Sequence, residues 1–596
     1  MSDDVSIPEI LERRARLEPN GAAYTFVDYD VDPAGYAETL TWSQMHQRAT
    51  VVAGELRRVG TVGDRVAIIA PQSMDYVVAF LGILEAGMVA VPLSVPLFGA
   101  HDERTSVVLR DCDPAALVTT SAAVDAVMPS VAAVPGARIA VIEVDALDLD
   151  APPAPYTTVR SASDLALLQY TSGSTGTPSG VAVTHGNIVA NIEQVATDQF
   201  SDFGGTPPVD TTLVSWLPFF HDLGLMLGIM APVGTGRHAV LTSPISFLQK
   251  PSRWIRLLAD YPCAHSAAPN FAFELAARRT SDADLEGLSL AGVHAVMNAA
   301  ERVQVGTVER FNERFAPYGF TPGMHMAGYG LAEATLYVAS VAPRTELPIA
   351  RFDYEKLAAG YALRLDTTAA AHADAAQATD SDATGSLLVG LGPQRITTFR
   401  VVDPETGREC PDDRVGEIWV HGPNVAAGYW RNPTRTEETF GGRIVAPSEG
   451  TPEGPWMRTG DLAVMSEGSL YIVGRIKDLI IVDGRNHYPD DIEQTVSACT
   501  GARTAAVSVA GQDTEELVVI AELRRLPADA AAVAERVAQV RRDVTAAIAR
   551  QHSLRVADVV LVPQGAIPIT TSGKTRRRES AAIYRAGGFD RLGTAE

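Results

Sequence analysis

The chain has 596 residues, 46% of them apolar, and a formal net charge of −23. That length exceeds one ordinary hydrophobic core and predicts two or more domains, while the acidic balance argues against nucleic acid as a main partner, since phosphate backbones select basic surfaces. The longest apolar stretch, 77–98, is broken by Glu85 and two prolines, and the acidic start lacks a signal peptide's order, so the expectation is a cytoplasmic protein that is not an integral membrane protein.

Short strand-like and helical runs alternate from about residue 60 to 340. "DRVAIIA" (64–70) leads into the helical "DYVVAFLGILEAG" (75–87) and the extended "MVAVPL". "AALVTT", "ARIAVIEVD", "LALLQYT", "TTLVSW", "HAVLTSP" and "AGVHAVMN" follow as strands, with "PSRWIRLLADY" and "RVQVGTVERFNERFAPYG" at helical spacing. This alternation predicts layered α/β architecture with largely parallel sheets. Beyond Pro343 the pattern changes. Residues 366–386 are low in complexity, and "RITTFRVVD", "VGEIWVHG", "SLYIVGR" and "DLIIVDG" are closely spaced strands expected to pair antiparallel. The remainder reads α+β, which divides the chain into 1–474 and a small C-terminal domain, 475–596, joined at "GRIKD" (474–478).

Cys112, Cys263, Cys410 and Cys499 are too far apart to suggest a disulfide framework or a zinc site. Lysine is scarce: only Lys250, Lys356, Lys477 and Lys574 occur among 49 basic residues. A slim point charge retained where arginine is the habit invites a functional reason, although chance serves equally well for Lys250 and Lys356.

"YTSGSTGTPSG" (170–180) follows the apolar run 165–168 and offers backbone N–H groups and hydroxyls to a polyphosphate, yet it lacks the lysine of G-x-x-x-x-G-K-[ST]. In "AGYGLAEAT" (327–335), Tyr329 suits the face of a base and Glu333 suits Mg²⁺ on phosphate oxygens. "WMRTGDLA" (456–463) places Asp461 after a turn, where a carboxylate accepts from ribose hydroxyls. Arg475 adds a planar cation, and "IPITTSGKTRRR" presents Lys574 on a loop.

The ordered motifs Y-T-S-G-S-T-G, Y-G-L-A-E, R-T-G-D, G-R-I-K-D and T-S-G-K resemble those of the adenylate-forming superfamily over nearly the whole chain. "SWLPFFHDLGLMLG" (215–228), "SFLQKPSRWIRLL" (246–258), "SAAPNFAFELAARR" (266–279) and "GRNHYPDDIE" (484–493) are similar to the fatty acyl-AMP ligase branch. The resemblance implies that fold, with a large N-terminal domain and a small mobile C-terminal one. It also implies ATP and Mg²⁺ as cofactors, a long-chain fatty acid as substrate, and delivery of the acyl group to an acyl carrier domain of a polyketide synthase. No carrier serine motif occurs here, so that domain must come in trans. A long-chain acyl-CoA synthetase is the alternative within the superfamily, and a silent nucleotide-binding scaffold the alternative outside it.

Carried over motif by motif, the resemblance makes Lys574 and Glu333 catalytic, with Glu333 holding Mg²⁺. Thr171, Ser172, Gly173, Ser174, Thr175 and Gly176 would bind the nucleotide, with Asn298, Ala299, Ala300, Tyr329, Gly330, Asp461 and Arg475. His221, Ser266, Ala268 and Phe271 would meet the acyl substrate, and Lys477 would sit at the hinge; Phe271, Phe273 and Leu275 are candidates for the tunnel wall, although apolar residues at near-helical spacing are core residues by default. Many acyl-CoA synthetases end the first loop P-K-G where this chain has Pro178-Ser179-Gly180, and the acyl-AMP ligase branch commonly does without that lysine too. Two departures from the branch stand out: Gly176, where it often has arginine, and Ala299-Ala300-Glu301, where it usually reads G-S-E. An insertion at about 350–386 is expected to limit rotation of the C-terminal domain, and Arg576–Arg578 is the candidate basic patch for an acidic carrier.

Overall fold

The computed structural model describes residues 5–96, 103–136, 138–152, 161–171, 178–365, 385–482, 485–510, 515–524, 526–527, 529–570 and 573–593. Two large sheets dominate. In the first, six parallel strands lie in the order His325–Gly330, Ala295–Ala299, Ala264–Pro269, Thr212–Ser215, His238–Leu241 and Ala22–Asp28, with an antiparallel strand at each edge. In the second, four parallel strands around Arg65–Ile68 continue into Leu165–Thr171, which turns back antiparallel as Ser179–Thr184. Val66, Ala67 and Ile68 are fully buried, as strands covered on both faces require.

The longest apolar stretch of the sequence becomes the helix Met74–Glu85, started by Ser73 accepting from Tyr76 N–H at 3.3 Å, and then the strand Val89–Pro92. Every residue of that helix except Asp75 is buried, so its all-round hydrophobicity reflects a core position, and no described helix is long and apolar enough to cross a membrane.

A four-stranded antiparallel sheet follows, in the order Thr398–Val402, Gly416–His421, Met457–Ser466 and Ser469–Arg475. "DLIIVDG" forms an antiparallel strand as expected, in a separate ladder where Ile480–Val482 pairs with Arg485–His487. One sequence expectation changes here. "WMRTGDLA" is a strand, and the turn expected before Asp461 is a bulge inside it, with Gly460 at φ +70° and the register slipping between Glu417 and Trp419.

The C-terminal part stacks the helices Pro489–Thr500, Ala530–His552 and Arg577–Arg585 on the three strands Thr504–Ala510, Glu515–Leu523 and Val556–Pro563. The insertion's first half is ordered. Ile349–Phe352 pairs with Ser386–Val389, and the short helix Tyr354–Ala358 follows; residues 366–384 fall outside the described residues.

Candidate active site

The ends of the parallel strands of the first sheet, the bulge at Asp461 and the loop bearing Lys574 converge on one cleft. Tyr329 ends its strand there and donates its hydroxyl to Asp461 Oδ2 at 2.6 Å, while Arg475 Nε lies 2.7 Å from Asp461 Oδ1. Burial and the Asp461 carboxylate hold the Tyr329 phenol protonated, and the same carboxylate keeps Arg475 charged. An aromatic face, a carboxylate and a fixed guanidinium thus stand side by side. Gly330 is compelled by packing, since a Cβ there would lie 1.8 Å from Leu336 O.

Glu333 sits on the single turn Ala332–Ala334. Thr335 follows at φ +66°, ψ −51°, with Leu336 N–H on Ala334 O at 2.8 Å, a γ-turn that a threonine adopts only under constraint. The constraint is visible: Thr335 Oγ1 donates to Asn424 O at 2.7 Å, and Ala426 N–H reaches Glu333 O at 2.9 Å. Glu333 Oε1 accepts from Tyr429 Oη at 2.7 Å. Its second oxygen accepts no hydrogen bond among the described residues, and one carboxylate beside phosphate oxygens is the donor set that Mg²⁺ favours.

Lys574 lies on the returning arm of a small hairpin, closed by Thr570 N–H on Lys574 O at 2.8 Å and Lys574 N–H on Thr570 Oγ1 at 3.0 Å. The hairpin rests on Phe271, whose Cε1 would be 3.6 Å from a Cβ at Gly573. The residue as a whole is exposed, but its ammonium is walled by protein. This crowding, then Arg475, pushes its pKa below the usual lysine value, against the pull of Asp222, Glu301 and Asp461. Across from it, burial followed by Lys574 and Arg104 lowers His221 to about 4, so its imidazole is neutral. Burial also raises Asp222 and Glu301 above ordinary carboxylates.

Other assigned residues take plainer positions. Thr171 is a ladder partner of Ser179, so the two form the neck of the glycine-rich connection; Ser172, Gly173, Ser174, Thr175 and Gly176 lie outside the described residues. Asn298 is fully buried and its amide donates to Asn270 Oδ1 at 3.1 Å, leaving Asn298 Oδ1 without a partner among the described residues. Ala299 closes its strand, and the left-handed φ, +69°, falls on Ala300. The Ser266 hydroxyl bridges Val214 O at 2.6 Å and Trp254 Nε1 at 3.1 Å, so Ser266 belongs to the core and offers a substrate no free hydroxyl. Ala268 is buried in the same strand. Phe271 meets the edge of Trp216, but Phe273 is fully buried against Trp254, Phe311 and His325, a core residue in place of a tunnel lining. Lys477 is exposed in the single turn Ile476–Asp478, and Lys250 pairs with Asp284 at 2.8 Å on the surface.

Sequence reasoning missed Glu301, which accepts Phe271 N–H at 2.7 Å and so caps the helix Asn270–Arg279 beside Lys574. It missed Tyr429, which orients Glu333, and Arg302, which pairs with Asp491 of the C-terminal part at 2.5 Å. The basic run also needs correction. Half-buried Arg577 is committed to Glu493, Asp490 and Asp478, and Arg576 pairs with Glu579, while Arg576 and Arg578 stay exposed, so Arg577 itself is not part of a free basic surface.

A sequence model of the AMP-binding enzymes matches residues 11–430, and one described as the Disco-interacting protein 2-like AMP domain matches 477–590. The long-chain-fatty-acid–AMP ligase FadD26 of Mycobacterium marinum is 54% identical over 99% of both chains. Mycobacterium tuberculosis fadD25, provisionally named a fatty-acid–CoA ligase, is 50% identical over 98% of this chain and 99% of its own. A fatty acyl-adenylate ligase from Legionella pneumophila, solved with acyl adenylate and pyrophosphate, superposes with a TM-score of 0.72 at 30% identity, covering 99% of this chain and 97% of that one. The chain belongs to the AMP-binding enzymes and, among them, to the fatty acyl-AMP ligases.

Proposed function

We propose that the chain joins a long-chain fatty acid to ATP as an acyl-adenylate, releasing pyrophosphate, and then passes the acyl group to the phosphopantetheine thiol of a polyketide synthase carrier domain supplied in trans. The observation that carries this reading is the convergence of Lys574, with Asp222 and Glu301 about it, on the Tyr329–Asp461–Arg475 cluster.

A carboxylate is a poor electrophile until its oxide is replaced by a better leaving group. Its oxygen attacks the α-phosphorus in line, an O–P bond forms, and the bond to the pyrophosphate oxygen breaks. The protein positions and stabilises charge. Tyr329 receives the adenine face, Asn298 Oδ1 offers an acceptor to its amine, and Asp461 takes the ribose hydroxyls. Lys574 bridges the fatty carboxylate and the α-phosphate. His221, neutral at working pH, flanks the entering carboxylate without holding a proton against it. Glu333 would hold Mg²⁺, which when bound neutralises the pyrophosphate oxygens. In the second step the thiol sulfur attacks the acyl carbonyl, and AMP leaves with the bonding pair.

We assign residues 1–474 to the adenylating domain and 475–596 to a mobile one. The insertion bears on that motion: Tyr354 shares a 3.1 Å hydrogen bond with His487, Tyr488 Oη donates to Leu357 O at 3.2 Å, and Ser386 Oγ donates to Asp491 at 2.7 Å. Holding the C-terminal part against the adenylating face disfavours free CoA as acceptor. The name of the 50% identical relative supports a second reading, an acyl-CoA synthetase. Incubation with ATP, Mg²⁺ and a fatty-acid ladder, then mass spectrometry after adding CoA or a phosphopantetheinylated carrier, decides. Acyl-adenylate and acyl-carrier without acyl-CoA are expected; acyl-CoA in quantity would reverse the preference, and absence of adenylate would remove both readings.

A further inference from the structure

We infer that Arg435 is the cation missing from the glycine-rich connection, and that its guanidinium grips the terminal diphosphate of ATP and the departing pyrophosphate. This rests on the adenylation reading above. The backbone brings Arg435 there from far along the chain. The strand Gly428–Tyr429 pairs with Ser179–Thr184, setting Tyr429 opposite Val181, and Trp430 N–H bonds Gly180 O at 2.7 Å. The helix Pro433–Phe440 starts at once, capped by Asn432 Oδ1 on Arg435 N–H at 3.1 Å, and Thr436 Oγ1 accepts Tyr429 N–H at 2.9 Å. This tight return lays the guanidinium 4.2 Å above the Tyr429 ring and puts Nη1 on Ser179 Oγ.

Three features separate this arginine from a helix staple. Arg435 forms no ion pair among the described residues, whereas Arg475, Arg302 and Arg577 at the same cleft each face a carboxylate. Its hydrogen-bond partner, a serine hydroxyl, is neutral, so the charge and the remaining donors of the fork stay uncommitted. Ser179 is the neck residue, opposite Thr171, at the position where the lysine-bearing loops carry their cation. The same ring joins cation to metal ligand: Tyr429 carries Arg435 on its face and holds Glu333 with its hydroxyl.

The test uses the full chain, with fatty-acid-dependent ATP–pyrophosphate exchange on dodecanoate. Arg435→Ala should raise KM for ATP and for pyrophosphate about tenfold, the worth of one charge-assisted contact, with KM for dodecanoate unchanged. Arg435→Lys should lie between. Adding Ser179→Lys to Arg435→Ala should restore most of the lost affinity, a recovery that a merely structural arginine would not allow. Two results would overturn the inference: ATP and pyrophosphate KM within about twofold of wild type in Arg435→Ala, or a uniform loss in all parameters that Ser179→Lys leaves in place. MgATP titration without fatty acid keeps the two readings apart. Wild type binding about tenfold tighter than Arg435→Ala, yet giving no exchange, would sink adenylation and leave Arg435 in its role.

Discussion

A side chain that must bridge two anionic oxygens works only while it carries its proton. Lys574 is held below the ordinary lysine range by crowding and by Arg475, so the alkaline limb of kcat/KM for adenylation, which reports the free enzyme, should fall below about pH 10.4. Lys574→Arg, whose cation does not titrate in reach, should flatten that limb at a lower rate, and Lys574→Ala should cost about 10²–10³-fold in pyrophosphate exchange. The candidates that the structure brings together are those whose chemistry travels with a short motif: Tyr329, Glu333, Asp461, Arg475 and Lys574. Glu301 stayed hidden because its partner is a helix N–H thirty residues back, and Ser266 misled because a hydroxyl facing Trp254 reads the same as one facing a substrate.

At the scale of elements, what a strand must do at its end decides where strain falls. Ala295–Ala299 closes beside the cleft, and Ala300 takes the left-handed φ, +69°, that glycine adopts without cost. Ala300→Gly should therefore stabilise the fold by about 0.5–1 kcal/mol, after the larger entropy of the unfolded glycine chain is set against the relief. Urea denaturation measures it; a loss of stability would show that the neighbouring strand tolerates this conformation freely. Periodicity located most strands and helices of both large sheets. It found Ile480–Val482 as an antiparallel strand but left its partner open, since an apolar run does not name one, and it read a turn before Asp461 because a bulge and a turn ask for the same glycine. Phe273 could be read as tunnel or core, with the core the default, because a helix face toward the core and one toward a ligand share one spacing; the structure buries it fully.

For the molecule as a whole, one arginine anchors the C-terminal part. Arg577, its side chain 18% exposed, serves Glu493, Asp490 and Asp478 together. Removing it leaves three half-buried carboxylates without their shared partner, so Arg577→Met should cost about 1–3 kcal/mol, between the worth of an exposed pair and that of a buried one. All six tryptophans precede residue 475, so circular dichroism should record the weakened transition while tryptophan fluorescence follows the N-terminal sheets. Equal shifts in both signals would mean that the two parts unfold as one. Asp491 has a different office. One carboxylate takes Arg302, which follows the strand at the cleft, and Ser386, which opens the strand after the insertion. Were the C-terminal part to swing as proposed above, one carboxylate would lose both partners together, and the Tyr354–His487 and Tyr488–Leu357 contacts would have to yield as well, so release would be costly before any angle is gained.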